Sequence, residues 1–525
     1  MNPNHVGANL FARLANRVRM NSHLRGVHPE SHKALSAEPP IRVLPLPERL
    51  FVPLQQHIGA PARHLVSVGE KVKKGQLLAA SVGLVSAPVH APTSGRIIAI
   101  GDFPGSHPSG LEMPTLTIEP DGDERWIESE PPSNPFALSP EEVALRVGAA
   151  GIVGLGGAAF PAAVKLNLSR RSEVHTLIMN GGECEPYLTC DDRLMRERAS
   201  QIVEGIRLIA HATGASEILV GIEDNKPEAI AAMRTASFAS PVRVVQVPAM
   251  YPMGSEKQMI QVLTGQEVPA GGRAADIGVL VHNVGTAFAV QQALRLGRPL
   301  VSRIVTVSGG AIMAPCNLEA PIGALAADLV RACGGLRSDA ARLVLGGPMM
   351  GTQLSSLDVP LVKGSSGVLA LTSAEVEQTR PGPCIRCSSC VRACPMGLLP
   401  LEMAARIRAG DPASAVDWGL KDCIACGSCS WVCPSHIPLV HWFNHAKGDL
   451  AARERLKMKN EATKKLADER SERMARIVRE REEAARLRAA KKAAADAAKK
   501  AAAEAAAAAK AVEKAAEKAK EEVAP

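Results

Sequence analysis

Two copies of one cysteine spacing within residues 384–433 constrain this chain more than any other feature. The first is Cys384-x-x-Cys387-x-x-Cys390-x-x-x-Cys394-Pro395, and the second is Cys423-x-x-Cys426-x-x-Cys429-x-x-x-Cys433-Pro434. Paired runs of this kind hold two [4Fe–4S] clusters. A cubane needs four thiolates around it. One short loop brings in three, and the fourth comes from the other run. Cys384, Cys387, Cys390 and Cys433 are therefore assigned to one cluster, and Cys423, Cys426, Cys429 and Cys394 to the other. Pro395 and Pro434 turn the chain away after each fourth ligand.

Other uses of eight cysteines fit less well. Disulfides need an oxidising compartment, and no secretory signal is read at the start of the sequence. Two four-thiolate zinc sites would each pair two short CxxC hooks, without a third cysteine at the same spacing and a fourth before proline. The remaining cysteines, Cys184, Cys190, Cys316 and Cys333, show no such pattern and read as core thiols.

A chain of 525 residues with 46% hydrophobic content has room for three or four domains with cores. Aromatic residues are only 3%, which argues against a base-stacking surface. The net charge is +8, but residues 451–525 hold 21 lysines and arginines against 14 acids. The body is thus nearly neutral, and a basic nucleic-acid groove is not expected. No apolar run approaches the ~20 residues of a membrane span, so a soluble or peripheral protein is expected. Near the start, Leu10, Phe11, Leu14 and Val18 recur at helical spacing among Arg13, Arg17 and Arg19. That pattern suits a membrane-surface helix, or a disordered or partner-docked terminus.

Residues 41–118 read as β structure, with strand-forming runs broken at Gly69, Gly75 and Gly95. They resemble the lipoyl/biotinyl sandwich, whose cofactor sits on a hairpin lysine. Residues 82–89, where that tip would lie, contain no lysine, so the resemblance implies fold alone. A helix then starts at the N-cap Ser139, with Pro140 in its first turn and Glu142 completing a capping box. From there to about 299, helices and apolar strands alternate, which implies a Rossmann-like layer with a mainly parallel sheet. Residues 300–375 read as a small α+β module. Residues 484–519 are mostly alanine with charged residues, and predict a solvated helix without a coiled-coil stripe.

Within the alternating region lies Gly154-Leu155-Gly156-Gly157-Ala158-Ala159-Phe160-Pro161. Gly154, Gly156 and Gly157 let backbone N–H groups approach an anionic phosphate, and the following helix adds its positive end. Lys165 stands within reach of the same anion. A short apolar strand delivers Asn180-Gly181-Gly182-Glu183-Cys184-Glu185-Pro186. Glu183 and Glu185 suit ribose hydroxyls or a flavin edge. The same residues also read as an ordinary turn with solvated acids.

Gly154-to-Pro161, Asn180-to-Pro186, Tyr251-Pro252-Met253-Gly254-Ser255-Glu256 and Asn283-Val284-Gly285-Thr286 occur in an order that resembles the FMN-binding, NADH-oxidising subunit of respiratory complex I. With Gly26-Val27-His28-Pro29, Gln56-His57-Ile58-Gly59 and Gly346-Gly347-Pro348-Met349-Met350-Gly351, the stretch from about 25 to 445 more closely resembles the C-subunit family of Rnf/Rsx ion-translocating electron transport complexes. That resemblance implies that Gly154, Gly156, Gly157, Lys165, Asn180, Gly254, Asn283 and Thr286 hold FMN. It implies that Phe160, Glu183, Glu185, Tyr251 and Glu256 face the nucleotide and the isoalloxazine. Gly182 and Gly285 stand where the complex I subunit has acids, which leaves the details of flavin and nucleotide contact open.

The resulting reading is a multidomain α/β and α+β protein. It comprises an N-terminal segment (1–40), a barrel sandwich (41–125), an FMN/NADH domain (135–299), a soluble-ligand-binding β-grasp domain (300–375), a two-cluster ferredoxin domain (376–445) and a helical tail (446–525). The implied activity is that of an NADH/ferredoxin oxidoreductase subunit using FMN, NAD(H) and two [4Fe–4S] clusters. Its implied partners are NADH, integral-membrane and other Rnf/Rsx subunits and, indirectly, ferredoxin. The implied location is peripheral, on the cytoplasmic side of the cell inner membrane. The rivals are a diaphorase subunit of a soluble hydrogenase or formate dehydrogenase, and a relay or docking subunit without a working nucleotide site.

Overall fold

The structure, a computed structural model, describes residues 24–106, 110–169, 172–376 and 379–521. The basic helical pattern at 10–18 lies outside them. The chain divides into a large unit ending at Ala446 and a second unit beginning at Lys447.

In the large unit, the glycine-punctuated runs form two small antiparallel sheets. One is ordered Leu50–Pro53, Glu112–Pro120, Gly95–Pro104, Lys71–Val72, and the other Arg63–His64, Leu77–Ala80, Val89–His90. Leu50, Leu78, Ile97, Leu116 and Ile118 are fully buried between them. Their apolar cluster runs on into Val305, Val307, Leu318 and Leu329, so this sandwich shares a core with the next sheet. That sheet is mixed and ordered Arg42–Val43, Cys316–Pro321, Ser302–Ser308, Gly367–Thr372, Ala340–Leu345, Thr352–Leu354. Residues 42–43, read above as opening the sandwich, instead pair in parallel with Cys316–Pro321. Two residues carry no hydrophobic period, so the sequence holds no sign of which sheet edge they join.

The α/β layer positions the site. Its strands lie in the order Val242–Val247, Glu217–Glu223, Thr176–Gly181, Val279–Asn283, and all are parallel. Leu177, Ile178 and Met179 are consecutive and buried, as expected of a strand covered on both faces. The helix Pro140–Ala149 begins with the expected capping box: Glu142 N–H donates to Ser139 Oγ (3.3 Å), and Ser139 N–H to the Glu142 carboxylate (2.7 Å). Helix Cys190–Thr213 buries Leu194, Met195, Ile202, Ile206 and Ile209 against the layer. In chain order the strands run third, second, first, fourth. The winding therefore reverses between Thr176–Gly181 and Val279–Asn283. At such a switch point the connections leave in opposite directions and open a crevice at the carboxyl ends of the strands.

The cysteine-rich region is built from loops and the short helices Ser389–Ala393, Pro400–Arg408, Ser414–Asp417 and Ser428–Trp431. The helix Leu439–Glu521 follows. From 451 onward its side chains are almost all exposed, as alanine-rich helix without an apolar stripe should be. Among the described residues no helix is long and apolar enough to cross a membrane.

Candidate functional site

Four loops meet at the switch point. The strand Thr176–Gly181 delivers Asn180, whose Nδ2 donates to the Gly254 carbonyl (2.7 Å) and whose Oδ1 accepts from Gly182 N–H (2.9 Å). The strand Val279–Asn283 delivers Asn283, which caps helix Val284–Leu296 by accepting from Gly285 N–H (2.8 Å). Asn283 Nδ2 donates to Asp191 Oδ2 at 2.6 Å. The glycine-rich loop lies against this pair. A Cβ on Gly156 would stand 3.3 Å from Asn283 Cβ. Leu155 N–H donates to Thr286 Oγ1 (3.0 Å), and Gly154 N–H closes the loop on the Phe160 carbonyl (2.8 Å). Gly157 sits at φ 104° with nothing within 4 Å of where a Cβ would be, a conformation glycine alone adopts at no cost. From helix Ala162–Ser169, Lys165 Nζ donates to Glu256 Oε2 (3.0 Å) and the Val281 carbonyl (3.1 Å).

Gly154, Gly156, Gly157, Lys165, Asn180, Gly254, Glu256, Asn283 and Thr286 are thus brought together. The half-buried Phe160 closes the loop. A loop stripped of side chains, beside the N-terminus of a 13-residue helix, fits an anionic group such as a phosphate. Lys165 adds positive charge, part of it answered by Glu256.

Three side chains expected to face a ligand are engaged elsewhere. Glu183 is buried, and its carboxylate accepts from Asp191 N–H (2.9 Å), Asp192 N–H (3.3 Å) and the Cys190 thiol (3.2 Å). The open N–H groups at the start of helix Cys190–Thr213 claim it. Glu185 Oε2 accepts from Met349 N–H at 3.0 Å, and its Oε1 is buried without a hydrogen-bond partner. Burial pushes this carboxyl up to about 7. Tyr251 is 2% exposed, and its hydroxyl donates to the Cys426 carbonyl at 2.5 Å.

Sequence reasoning missed several charged groups around these loops. Lys33 Nζ donates to the Glu185 carbonyl (2.9 Å) and to that of Leu188. Lys226 pairs with Glu223, both buried; burial opposes its charge, but Glu223 and Glu183 outweigh it and hold its pKa up. Asp191 holds Asn283, and its carboxyl is pushed up to about 6 by burial and then by Glu183. Arg303 donates to the carbonyls of Leu155 and Ser365. Only Asp191 left a sequence trace, and an acid opening a helix reads first as a partner of the helix dipole.

The two cysteine runs share one backbone. Arg386 and Ser388 in the first, and Ala425 and Gly427 in the second, all have positive φ, between 56° and 80°. Side-chain-bearing residues rarely adopt this region, and it wraps each run into a tight loop. Arg386 N–H is aimed at Cys384 Sγ and Ala425 N–H at Cys423 Sγ, both at 3.4 Å. Such donors stabilise thiolates. Cys394, Cys423, Cys426 and Cys429 line one apolar cavity together with Met396, Met403 and Phe443. Cys394 thus joins the three cysteines of the other run. Burial and the nearby thiols of Cys423 and Cys426 push the Cys429 thiol up. This set fits a cluster held by four sulfurs, although among the described residues no three candidate ligands stand close enough for a single ion. On the other side Cys384 and Cys387 are exposed, Cys390 and Cys433 half-buried. Gly382 N–H donates to the Ser435 carbonyl (2.9 Å), tying the start of one run to the end of the other. Cys190, Cys316 and Cys333 are buried, with Cys316 and Cys333 Sγ 3.5 Å apart, and Cys184 is half-buried.

The crevice and the buried cysteine set adjoin. Val27, Tyr251, Ala393 and Cys426 form one apolar cluster, against which Cys184, Met349 and Ile424 pack. Gln258 Nε2 donates to the Pro395 carbonyl at 3.4 Å.

Family comparisons agree with this layout. Residues 147–292 match the Nuo51 FMN-binding domain, 21–123 the RnfC barrel sandwich hybrid domain, 304–353 the SLBB domain and 383–437 the 4Fe-4S dicluster domain. The chain is 51% identical to the C subunit of the ion-translocating oxidoreductase complex of Rhodobacter capsulatus, over 82% of this chain and 83% of that one. It is 46% identical to the C subunit of the proton-translocating ferredoxin:NAD(+) oxidoreductase complex of Clostridium ljungdahlii, over 71% of this chain and 82% of that one. Among solved structures, an NAD+-reducing [NiFe]-hydrogenase chain aligns at 19% identity and a TM-score of 0.43, covering 62% of this chain and 64% of that one.

Proposed function

Because the chain belongs to the C-subunit family of ion-translocating oxidoreductase complexes, we propose that it exchanges electrons between NADH and the rest of such a complex through FMN and two [4Fe–4S] clusters. The family and its FMN-binding and 4Fe-4S dicluster domains make the chain an electron-transfer subunit. FMN, when bound, links two-electron hydride chemistry to the one-electron chemistry of clusters.

The adjacency of crevice and cysteines carries this proposal. On one side the loop from Asn180 to Glu185 meets Asn283, against which the glycine-rich loop lies. On the other it packs, through Cys184 and Tyr251, on Cys426. In this reading the N–H groups of Gly156 and Gly157 and the N-terminus of helix Val284–Leu296 would hold the FMN phosphate, while the bonds of Gly154 and Leu155 N–H keep the loop closed and Asn180 and Asn283 fix the crevice walls. Glu185 and Tyr251 exclude water between the crevice and Cys426. Cys394, Cys423, Cys426 and Cys429, beside the crevice, would hold the cluster nearer the flavin, and Cys384, Cys387, Cys390 and Cys433 would hold the more exposed one, suited to one-electron exchange with a partner. Glu183 acts from behind, as the cap that orients Asp191 and through it Asn283.

Anaerobically purified or reconstituted protein tests this. Bound FMN that NADH bleaches, followed by reduction of clusters seen by electron paramagnetic resonance, is the expected result. Protein that keeps flavin and iron but is not bleached by NADH would mark it as a relay fed by another component of the complex.

A further inference from the structure

The glycine-rich loop is held from behind by residues that lie outside the segment matching the FMN-binding domain. Lys363 is the clearest of them. It is 1% exposed, and its Nζ donates to the carbonyls of Pro88 and Gly151, both at 2.7 Å. Gly151 stands three residues before the loop, and Pro88 belongs to the barrel sandwich. The ammonium is thus held by carbonyls rather than by an acid, and burial pushes its pKa down to about 7. An apolar side chain of the same length would fill the space without that desolvation cost. What lysine adds is its hold on two backbone carbonyls from two different parts of the fold.

Arg303, on strand Ser302–Ser308, repeats the arrangement one step along. It is 6% exposed; Nη2 donates to the Leu155 carbonyl (3.2 Å) and Nε to the Ser365 carbonyl (3.3 Å). Ser365 Oγ in turn accepts from Val362 N–H at 3.1 Å, which closes the turn that carries Lys363. Between the two anchors, a Cβ on Gly364 would stand 3.4 Å from Ala159 Cβ. The barrel sandwich adds Ile58 N–H, which donates to the Ala159 carbonyl (3.3 Å), and Gln56 Oε1, which accepts from Lys363 N–H (3.2 Å). The loop is therefore gripped at Gly151, Leu155 and Ala159 through its carbonyls. In the planar Leu155–Gly156 peptide the carbonyl held by Arg303 points opposite to the Gly156 N–H, which is thereby directed away from the grip.

We propose that Lys363 and Arg303 are positioning residues for the phosphate end of the flavin site, fixing the backbone of 154–157 before the ligand arrives. The role rests on the reading above that this loop holds the FMN phosphate. Both side chains act through the loop, so the flavin site is completed by the barrel sandwich and by the sheet that carries Arg303. Preorganisation of this kind shows as affinity for the group the loop meets and leaves the rest of the ligand unaffected.

Riboflavin, which is FMN without its phosphate, separates positioning from general stability. Flavin-free full chain is titrated with each flavin, followed by fluorescence quenching, for the unaltered protein and for Lys363→Met and Arg303→Lys. Lys363→Met removes both donated hydrogen bonds. Arg303→Lys keeps the charge but reaches one carbonyl instead of two, and so remains informative if the first variant fails to fold. Each variant is expected to lose about tenfold in FMN affinity while riboflavin affinity stays within about twofold. Iron content should not change. Equal losses for both flavins, or FMN affinity unchanged in a folded variant, would overturn the positioning role. Unaltered protein that binds FMN no better than riboflavin would remove the phosphate site itself and the proposal with it.

Discussion

Gly156 and Glu185 show how differently single residues serve one crevice. Gly156 matters for what it lacks. Its Cβ would meet Asn283 at 3.3 Å, so Gly156→Val drives a branched side chain against the residue that caps helix Val284–Leu296. Flavin retention should be abolished in this variant while iron content stays unchanged; full FMN in the purified variant would show that the loop does not bind flavin. Glu185 matters for its proton. Its carboxyl, ordinarily near 4.5, is raised to about 7 by burial, so the native state keeps a proton that the unfolded chain releases. Stability should fall as pH rises from 4.5 to about 7 and level off above. Glu185→Gln should flatten that slope and stabilise the protein at pH 8 by on the order of 1–3 kcal/mol, with little change near pH 5. The thermal midpoint at the two pH values reads this, and equal shifts at both would trace the effect to the Met349 contact instead. At this scale the sequence was legible where backbone decides, as at Gly154, Gly156 and Gly157. It was opaque where long-range packing decides. Glu183 seven residues before a helix start, or Arg303 beneath Leu155, meets its partner only once the sheets are assembled.

Among the elements, the two cysteine loops carry the sharpest expectation. The spacing implies that each fourth cysteine crosses to the other run; Cys394 lines one cavity with Cys423, Cys426 and Cys429, an arrangement that fits one of the two crossings. Cys394→Ala should therefore remove the signal of the buried cluster, and Cys433→Ala that of the exposed one, each with about half the iron lost. Paramagnetic resonance of the reduced variants distinguishes the two. Zinc in place of iron in anaerobically purified protein would defeat both assignments. The capping box at Ser139 and the helix at 162 were likewise readable, because local hydrogen bonds and periodicity fix them. The edge strand Arg42–Val43 was not, since a strand of two residues is defined by its neighbour.

For the whole molecule, the alternation of helices and strands announced a parallel layer, but not that its order would reverse between Asn180 and Asn283 and so place the crevice there. Nor does composition reveal that the barrel sandwich and the mixed sheet share one core. The second unit is separable in a different sense. It is exposed helix, and most helical stability in proteins comes from tertiary packing. Deleting residues 451–525 should leave FMN and iron content and NADH:ferricyanide activity near those of the full chain. Against an anionic surface its excess of lysine and arginine would add on the order of 1 kcal/mol per charge. The salt-sensitive part of membrane recovery should therefore be lost, and recovery unchanged at low and high salt would reject an electrostatic anchor.

The unequal cover over the two cysteine sets predicts how the protein, with a cluster on each, should age in air. Cys394, Cys426 and Cys429 are buried and Cys423 is half-buried, whereas Cys384 and Cys387 are exposed. Oxygen, peroxide and chelators should reach the outer set first. A preparation handled in air should then decay in two steps, a fast loss of the outer four irons followed by a slow loss of the inner four. An iron count taken midway would reflect the hours since lysis, not the stoichiometry of the living complex.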